Sequence, residues 1–430
     1  MYKKSLIVTT IFVISTFIQL VSQIVITRIF GASLELDIFL AAVAIPSIVV
    51  TVVFGTLNNV LIPILGERQA KDPKQYENYF ISLLFTLGIL SLMVSIVVAL
   101  FSFPLSNLLY PGKDSQFINI VSQQMSVLFF SIPFAVIATT LGAYYYVKKH
   151  FYQFPVAQLF GSISNLCIII VLYSIAGIWA LITGFIINLI FQIFFVIPKR
   201  VSFAHVKLIN VKIIIFAWIP LIVGQFMLRS DTIIIRSYAS YLPTGYIVYL
   251  NLISKIFSIA TSVMTIGIQV LLLPHLVEYF AKKKYIEAIQ AVNKAKIISI
   301  GLSIVIALSI SLMGPLAIDI LFKGGKFTTE DVEITSSLIP IFILPAIGWG
   351  ISGVFFQPLL ALKKYSTIGI ISTISFLFAL LSSFVTNQLF GSLYAISVGL
   401  IVLLFTGIIG SEIIWQIHKK NLLKIRGSRS

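Results

Sequence analysis

Twelve long apolar segments, separated by short polar connections, constrain the fold of this chain more than any other feature of its sequence. Each segment is long enough to cross a bilayer as one helix, which needs about 20 apolar residues. The segments centre on residues 5–27, 38–64, 79–103, 120–146, 154–175, 178–197, 213–235, 246–273, 295–322, 335–362, 366–388 and 393–416. Lipid offers no partner to backbone groups, and the segments lack the alternation over about ten residues that barrel strands need. The sequence therefore predicts an all-α integral membrane protein with about twelve transmembrane helices.

The distribution of charge supports this topology and argues against a nucleic-acid-binding protein. Only 10% of the residues are charged, compared with about 25% in an average globular chain. The 30 Lys and Arg residues exceed the 14 Asp and Glu residues by 16, and nearly all of them are scattered through the short connections. When successive connections are assigned alternately to the two sides of the membrane, 23 of these residues lie on the side of the N-terminus and 5 on the other. The positive-inside rule then predicts that both termini are cytoplasmic, as is a basic loop at about residues 276–296.

The residue types on which most enzymes depend are missing or isolated. The single cysteine, Cys167, lies inside an apolar segment, and the four histidines are far apart in the sequence. The nearest match to a phosphate-binding loop, Gly324-Gly325-Lys326-Phe327, lacks the required spacing and hydroxyl residue. We therefore expect no disulfide, no metal, no cofactor and no catalytic residue, and a transporter rather than an enzyme.

An internal repeat at an offset of 211 residues divides the chain into two halves. Residues 62–71 read IPILGERQAK and residues 273–282 read LPHLVEYFAK, so that five of ten positions coincide. Six crossings return a chain to its starting side, and the halves are therefore expected to be related by a pseudo-twofold axis along the membrane normal. We predict an N-terminal six-helix lobe at 1–198, a cytoplasmic linker at 199–212, a C-terminal six-helix lobe at 213–417 and a basic cytoplasmic tail at 418–430. A substrate is expected to bind where the lobes meet.

Polar side chains follow one face of two predicted helices. In the eighth helix, steps of three or four positions place six of them on one stripe: Asn251, Lys255, Ser258, Ser262, Thr265 and Gln269. The first helix has a similar stripe through Thr9, Ser15, Thr16, Gln19, Ser22 and Gln23. In the second helix, Thr51 is the position that the internal repeat pairs with Ser262. Such stripes either pack between helices or line a cavity. Because the stripe of the eighth helix includes a lysine and two amides, we favour a cavity that helices 1, 2 and 8 face.

Five charged residues fall inside predicted spans, where each costs about 2.5–3.5 kcal/mol near the helix centre. They are Arg229, Asp231, Lys255, Asp319 and Glu412. Arg229 and Asp231 point to different sides of the seventh helix, and one of them is a candidate partner for Lys255 across the helix hairpin. A structural ion pair and an anion-binding site are both open interpretations. Asp319 and Glu412 lie near helix ends, from which they can reach the headgroup region.

Residues 28–71 resemble the second-helix region of the lipid II flippase family, MurJ or MviN, within a superfamily that includes polysaccharide flippases and multidrug exporters. The similarity rests on Arg28, Phe30, Gly31 and Ala32, on Asp37 before Ile38-Phe39, and on Ile62-Pro63-Ile64-Leu65. It recurs at Leu273-Pro274 and across residues 321–328. The resemblance implies export of a polyprenyl-diphosphate-linked saccharide from the cytoplasmic membrane by alternating access, in peptidoglycan biosynthesis or polysaccharide export. It also makes Arg28 and Asp37 candidate outer-gate residues.

The resemblance transfers to individual residues only in part. The family's cavity arginine on the eighth helix falls at Lys255, which keeps the positive charge. The family's arginines on helices 1 and 2 fall at Thr16, Ser22, Val50 and Thr51, so these charges are missing here. The difference leaves room for a carrier-linked saccharide other than lipid II.

The predicted function is therefore a flippase for lipid II or a related cell-envelope precursor. Arg229 and Lys255 are the candidate diphosphate contacts, because a diphosphate needs cations in a low-dielectric cavity. The candidate path for the sugar is lined by Asn251, Ser258, Ser262, Gln269, Gln19, Gln23 and Thr51. The expected partners are the lipid-linked saccharide, membrane lipids and a coupling ion, Na⁺ or H⁺, with no nucleic acid. The alternative is an ion-coupled exporter of organic cations, in which Asp231 or Glu412 exchanges a proton or a sodium ion for substrate.

Overall fold

The computed structural model describes residues 2–73, 75–198 and 206–427, which are almost entirely α-helical. The helices of the first half are α1 (Tyr2–Phe30), α2 (Leu34–Lys71), α3 (Tyr76–Leu100), α4 (Ser102–Leu109), α5 (Ser115–Phe129), α6 (Ser131–Val147), α7 (Gln153–Ala176) and α8 (Trp179–Val196). Those of the second half are α9 (Lys212–Leu228), α10 (Asp231–Ala239), α11 (Tyr246–Ala281), α12 (Tyr285–Phe322), α13 (Thr329–Ser337), α14 (Ile343–Ala361), α15 (Tyr365–Phe390) and α16 (Ser392–Gly427), with a 3₁₀ turn at Ile339–Phe342. Within the described ranges, β-type pairing is limited to one isolated bridge between Gly324 and Phe327. The prediction of an all-α fold is confirmed.

The structure has ten or eleven helices capable of crossing a membrane among the described residues, compared with about twelve predicted segments. Among the described residues, ten helical stretches are long and apolar enough to cross a membrane, and the bent pair α9 and α10 makes eleven. The first part of α11, Tyr246–Thr261, supplies one further apolar stretch. The fourth predicted segment is divided between α5 and α6, and the short helices α4 and α13 were not predicted as separate elements. The chain is therefore a multi-pass membrane protein.

The helices form two compact units. Unit 1 comprises Met1–Ile222 together with Gly324–Phe327, and unit 2 comprises Val223–Lys323 and Thr328–Ser430. The offset of 211 residues recurs in the helix bounds, since α2 displaced by that offset covers residues 245–282 and α11 covers Tyr246–Ala281. The ion pair at the end of α2, Lys71 with Glu67, also has its counterpart at the same offset in Lys282 with Glu278, both at 2.6 Å. The predicted lobe boundaries at residues 198 and 213 remain a prediction.

Three helix hairpins are closed by a lysine in the left-handed conformation. Lys149, Lys283 and Lys363 have φ values of 63°, 57° and 57°, and each lies two residues after the end of a helix. The amide of the following residue donates back to the helix, as from Lys284 to the carbonyl of Tyr279 at 2.8 Å. This is the hydrogen bond that closes a Schellman cap, where glycine is the usual residue because a side chain costs roughly 1–2 kcal/mol in this conformation. These lysines, which the positive-inside rule uses to predict the orientation of the chain in the membrane, thus also form the turns of the hairpins.

The predicted extent of the basic loop at residues 276–296 was wrong. α11 continues to Ala281 and α12 begins at Tyr285, which leaves Lys282, Lys283 and Lys284 as the connection. Lys296 lies within α12 and is only 7% exposed. Both helices extend beyond the apolar segments because helical hydrogen bonding propagates through polar residues once the helix has formed.

Candidate functional site

The seventh predicted span is broken at charged residues that the sequence singles out. α9 ends at Leu228, α10 begins at Asp231, and the chain bends by 45° between them. Arg229 is exposed at this break, whereas Ser230 is fully buried and its hydroxyl donates to the carbonyl of Phe226 at 2.8 Å. Helix breaks within membrane spans occur where the freed backbone groups meet protein or a water-filled cavity. The break therefore marks a candidate site in unit 2.

Both carboxylate oxygens of Asp231, the first residue of α10, accept hydrogen bonds. Oδ1 accepts from the amide of Thr232, and Oδ2 accepts from the indole Nε1 of Trp349 on α14, each at 2.9 Å. The positive end of the helix dipole also stabilises a carboxylate in the first turn. Asp231 is thus held against α14 by Trp349, a contact that the sequence did not predict. Pairing of Lys255 with Asp231 stays a prediction.

Arg236, in the last turn of α10, is a further cation in this region. It is one of the five basic residues that the alternation of connections assigns to the outer side, because its predicted apolar segment ends at residue 235. In the structure Arg236 lies within α10, is 6% exposed, and donates from Nη2 to Oδ1 of Asn251 on α11 at 2.8 Å. A buried guanidinium requires such partners because water is not available to it. The sequence offered one indication that Arg236 belongs to the helix: it directly follows three isoleucines, Ile233, Ile234 and Ile235.

The described part of α11 has one polar face and one apolar face. Lys255 and Ser258 are exposed, and Asn251 is 8% exposed. The apolar face is formed by Leu250, Ile253 and Phe257, each at most 1% exposed. Because this apolar face packs inside unit 2, Lys255 and Ser258 on the opposite face lie at the surface of the unit. The side chains of Ser262, Thr265 and Gln269 lie outside the described residues.

In unit 1, the predicted stripe of α1 divides between packing and exposure. Ser22 and Gln23 are buried, and Gln23 Nε2 donates to Thr27 Oγ1 at 3.4 Å, whereas Gln19 is exposed. On α2, Thr51 is exposed and its hydroxyl donates to the carbonyl of Ser47 at 2.8 Å. Asn59, two turns further along α2, is also exposed and was not predicted. A cavity faced jointly by α1, α2 and α11 remains a prediction.

Glu412, on α16, forms an ion pair with Lys296 of α12. Gln416 donates to the other carboxylate oxygen at 2.6 Å, and the side chains of Lys296 and Glu412 are 9% and 32% exposed. The ammonium of Lys296 also lies 4.7 Å from the ring centroid of Phe355 and 6.0 Å from that of Trp415. Cation–π contacts and the extra hydrogen bond offset the desolvation of this pair. Asp319, by contrast, forms an exposed pair with Lys323 at 3.0 Å, which contributes little.

Arg28 and Asp37 flank the turn between α1 and α2. Asp37 is fully buried and Arg28 is exposed, while the Arg28 carbonyl accepts a hydrogen bond from the amide of Lys326 at 2.8 Å. Glycine is required on both sides of this contact. A Cβ on Gly31 (φ 64°) would lie 2.5 Å from the Lys326 carbonyl oxygen, and one on Gly325 (φ 60°) would lie 2.2 Å from that of Arg28. Two separate motifs of the sequence, around residues 28–31 and 324–327, are thus in direct backbone contact.

A family model described as "Lipid II flippase MurJ" matches residues 26–428. A probable lipid II flippase MurJ from Helicobacter pylori is 21% identical over 397 residues, which cover 85% of this chain and 84% of the relative. A probable lipid II flippase MurJ from Bdellovibrio bacteriovorus is 28% identical over 134 residues, which cover 31% of this chain and only 25% of the relative.

Solved structures share the fold. A lipid II flippase MurJ in an inward closed conformation has a TM-score of 0.80 at 18% identity, covering 98% of this chain and 90% of that chain. An inward-facing multidrug resistance transporter of the MATE family has a TM-score of 0.77 at 14% identity, covering 95% and 96%. Both values describe a common arrangement of helices, and at these identities the likeness is one of fold.

Proposed function

The chain belongs to the lipid II flippase MurJ family, and on this premise we propose that it moves lipid II, or a related polyprenyl-diphosphate-linked saccharide, across the cytoplasmic membrane by alternating access. In this proposal both termini are cytoplasmic, and the headgroup enters from that side. Arg28 and Asp37 are proposed to belong to the outer gate.

The excess of positive charge along α9, α10 and α11 is the observation that carries this proposal. Residues 228–258 contain three cations, Arg229, Arg236 and Lys255, and a single carboxylate, Asp231. A diphosphate binds Arg and Lys through charge-assisted hydrogen bonds. In the low dielectric of a membrane interior such contacts are much stronger than in water. The segment is therefore suited to an anionic headgroup.

The residues differ in their proposed roles because they differ in exposure. Arg229 and Lys255, whose side chains are exposed, are the proposed diphosphate contacts. Arg236, which is buried and bonded to Asn251, is proposed to position α11. The saccharide carries hydroxyl and amide groups, and we propose that it passes along the neutral polar residues Asn251, Ser258, Ser262, Gln269, Gln19, Gln23 and Thr51, which both donate and accept hydrogen bonds.

A coupling ion, Na⁺ or H⁺, is proposed to act at Asp231 or Glu412. The rival function is an exporter of organic cations that exchanges such an ion for its substrate at the same carboxylates. The MATE-like fold is compatible with both functions. The charge of residues 228–258 favours the flippase, because three cations and one carboxylate would repel a cationic substrate.

The proposal can be tested with purified protein in liposomes that contain a fluorescent polyprenyl-diphosphate saccharide in both leaflets. A membrane-impermeant reductant bleaches the outer leaflet only, so bleaching beyond that pool reports movement across the bilayer. We expect wild-type protein to make the inner pool accessible, and Lys255→Gln to abolish this effect. Empty liposomes and a fluorescent phosphatidylcholine are the controls for leakage and for unspecific lipid movement.

Accumulation of an organic cation such as ethidium under a sodium or proton gradient is the signature of the rival function. If the vesicles accumulate ethidium and leave the diphosphate lipid in its leaflet, the proposal is wrong. If both substrates stay in place, although the protein is folded and inserted, flipping of this class of lipid is likewise contradicted.

A further inference from the structure

An apolar groove in unit 1 lies between α3, the chain that precedes α9, and the start of α9. Its volume is about 490 Å³, within the range of small-molecule sites. Its walls are formed by Ile89, Leu90 and Met93 of α3, by Leu208, and by Ile215 and Phe216 of α9. Met93, Leu208 and Phe216 are 58%, 68% and 63% exposed. Because α3 crosses the membrane, these exposed apolar side chains indicate a groove that opens towards lipid.

The wall that contains Leu208 is fixed to α3 by its backbone. The amide of Lys207 donates to Ser82 Oγ, and the amide of Ile209 donates to Thr86 Oγ1, both at 3.2 Å. Both hydroxyl residues are buried, at 5% and 4% exposure. A non-helical backbone against a membrane helix needs such acceptors, since lipid supplies none. The groove is therefore a defined feature of the fold.

One end of the groove carries a positive charge. Lys212, the first residue of α9, lines the groove and is exposed, and its ammonium lies 5.8 Å from the ring centroid of Phe216. The described residues that line the groove include no acidic side chain. The groove thus combines an apolar trough with a cation at one end.

We propose that this groove binds one acyl chain of an anionic phospholipid, with the lipid phosphate at Lys212. A phospholipid has the matching amphipathic form, an apolar chain joined to a negative headgroup, and basic residues next to membrane helices attract such headgroups. Occupation of the groove would stabilise the packing of residues 206–211 on α3. The groove shares no residue with the proposed diphosphate contacts, and the proposal does not depend on the transported substrate.

Lipid retention by the purified full chain, measured by native mass spectrometry, tests the site. The detergent micelles are supplied with phosphatidylglycerol or phosphatidylcholine. We expect wild-type protein to retain phosphatidylglycerol preferentially, and Lys212→Gln to reduce that retention by about fivefold, the contribution of one cation near an anionic headgroup. Lys212→Arg should keep most of the retention. Leu90→Trp, which fills the groove, should reduce retention of both lipids.

A second measurement uses thermal stability, because a ligand that binds the folded state raises the melting temperature. Phosphatidylglycerol should raise the melting temperature of wild-type protein and of Lys364→Gln, a matched loss of an exposed lysine far along the chain, and should raise that of Lys212→Gln by less. Unchanged phosphatidylglycerol retention in Lys212→Gln, or equal retention of both lipids by wild-type protein, overturns the headgroup assignment. Unchanged retention in folded Leu90→Trp overturns the groove.

Discussion

Arg236 and Asn251 are joined by a hydrogen bond of 2.8 Å between two buried side chains, one on α10 and the other on α11. The bond connects the short helix that follows the break in the span to the helix that carries Lys255. Lys255 lies one turn beyond Asn251 and shares its side of α11. We therefore expect the position of Lys255, the candidate anion contact, to depend on Arg236.

Replacement of Arg236 tests this dependence. Arg236→Gln should lower the free energy of unfolding by about 1.5–3 kcal/mol, because Asn251 loses a charged donor, and it should also reduce flipping. Arg236→Lys should restore part of both, since it keeps the charge but loses the planar geometry. Thermal unfolding and the liposome assay measure the two effects. Lys323→Gln, which removes an exposed cation of unit 2, should change neither. Wild-type behaviour of Arg236→Gln would show that the bond does not position α11.

Substitution of Lys255 separates binding of the headgroup from a structural pair with Asp231. If Lys255 binds phosphate, Lys255→Gln should abolish transport at near-normal abundance, and Lys255→Arg should retain some activity. If the two residues form a structural pair, loss of one partner should lower abundance by a destabilisation of about 3–5 kcal/mol, less where water reaches the site. Recovery of transport in the double variant Lys255→Gln with Asp231→Asn would refute the ligand hypothesis.

The pair of Lys296 and Glu412 is expected to stabilise unit 2. Glu412→Gln leaves the buried ammonium without its carboxylate, and we expect a destabilisation of about 3 kcal/mol, since part of the site is accessible. Addition of Lys296→Met should restore the melting temperature, because the lone charge is then gone. Transport per folded molecule should be normal in this double variant. A double variant that is stable but inactive would instead support a coupling role for Glu412.

The contact between Gly325 and Arg28 predicts opposite effects for two glycine substitutions. Gly325→Ala should destabilise the protein by at least about 1–3 kcal/mol, the cost of a left-handed non-glycine residue, and the close Arg28 carbonyl adds to this cost. Gly66→Ala, within α2, meets no atom within 4 Å, and should be neutral or stabilising by about 0.5–1 kcal/mol. Melting temperatures of the two variants provide the test, and equal values would contradict the proposed requirement for glycine.

Cysteine labelling tests the predicted orientation. In a Cys167→Ser background, cysteines introduced at Lys284 and Lys326 should react with an impermeant thiol reagent from opposite sides of the membrane. Residue 284 should react only after the cytoplasmic side is made accessible, and residue 326 in intact cells. Labelling of both from outside would overturn the topology.

The membrane spans were predictable because they depend on a local quantity. A segment of about 20 apolar residues lowers its free energy in lipid whichever helices pack beside it. The composition of each such segment was therefore sufficient to predict a span. The repeat was also readable, since Glu67 with Lys71 and Glu278 with Lys282 preserve both spacing and charge. Charged positions within the spans, such as Arg229 and Asp231, were identified for the same reason: a charge in an apolar window is costly wherever it occurs.

By itself, the sequence therefore determined the helical membrane fold, the family resemblance and the residues that are costly to place in lipid. The tertiary structure alone decided how those residues are accommodated: the break between Leu228 and Asp231, the bond from Arg236 to Asn251, and the pairing of Lys296 with Glu412, which are 116 residues apart in the chain. The physical reason is that a charge near the end of a span can be stabilised equally well by headgroups, by water or by a side chain on another helix. Only the packing of distant helices selects among these partners.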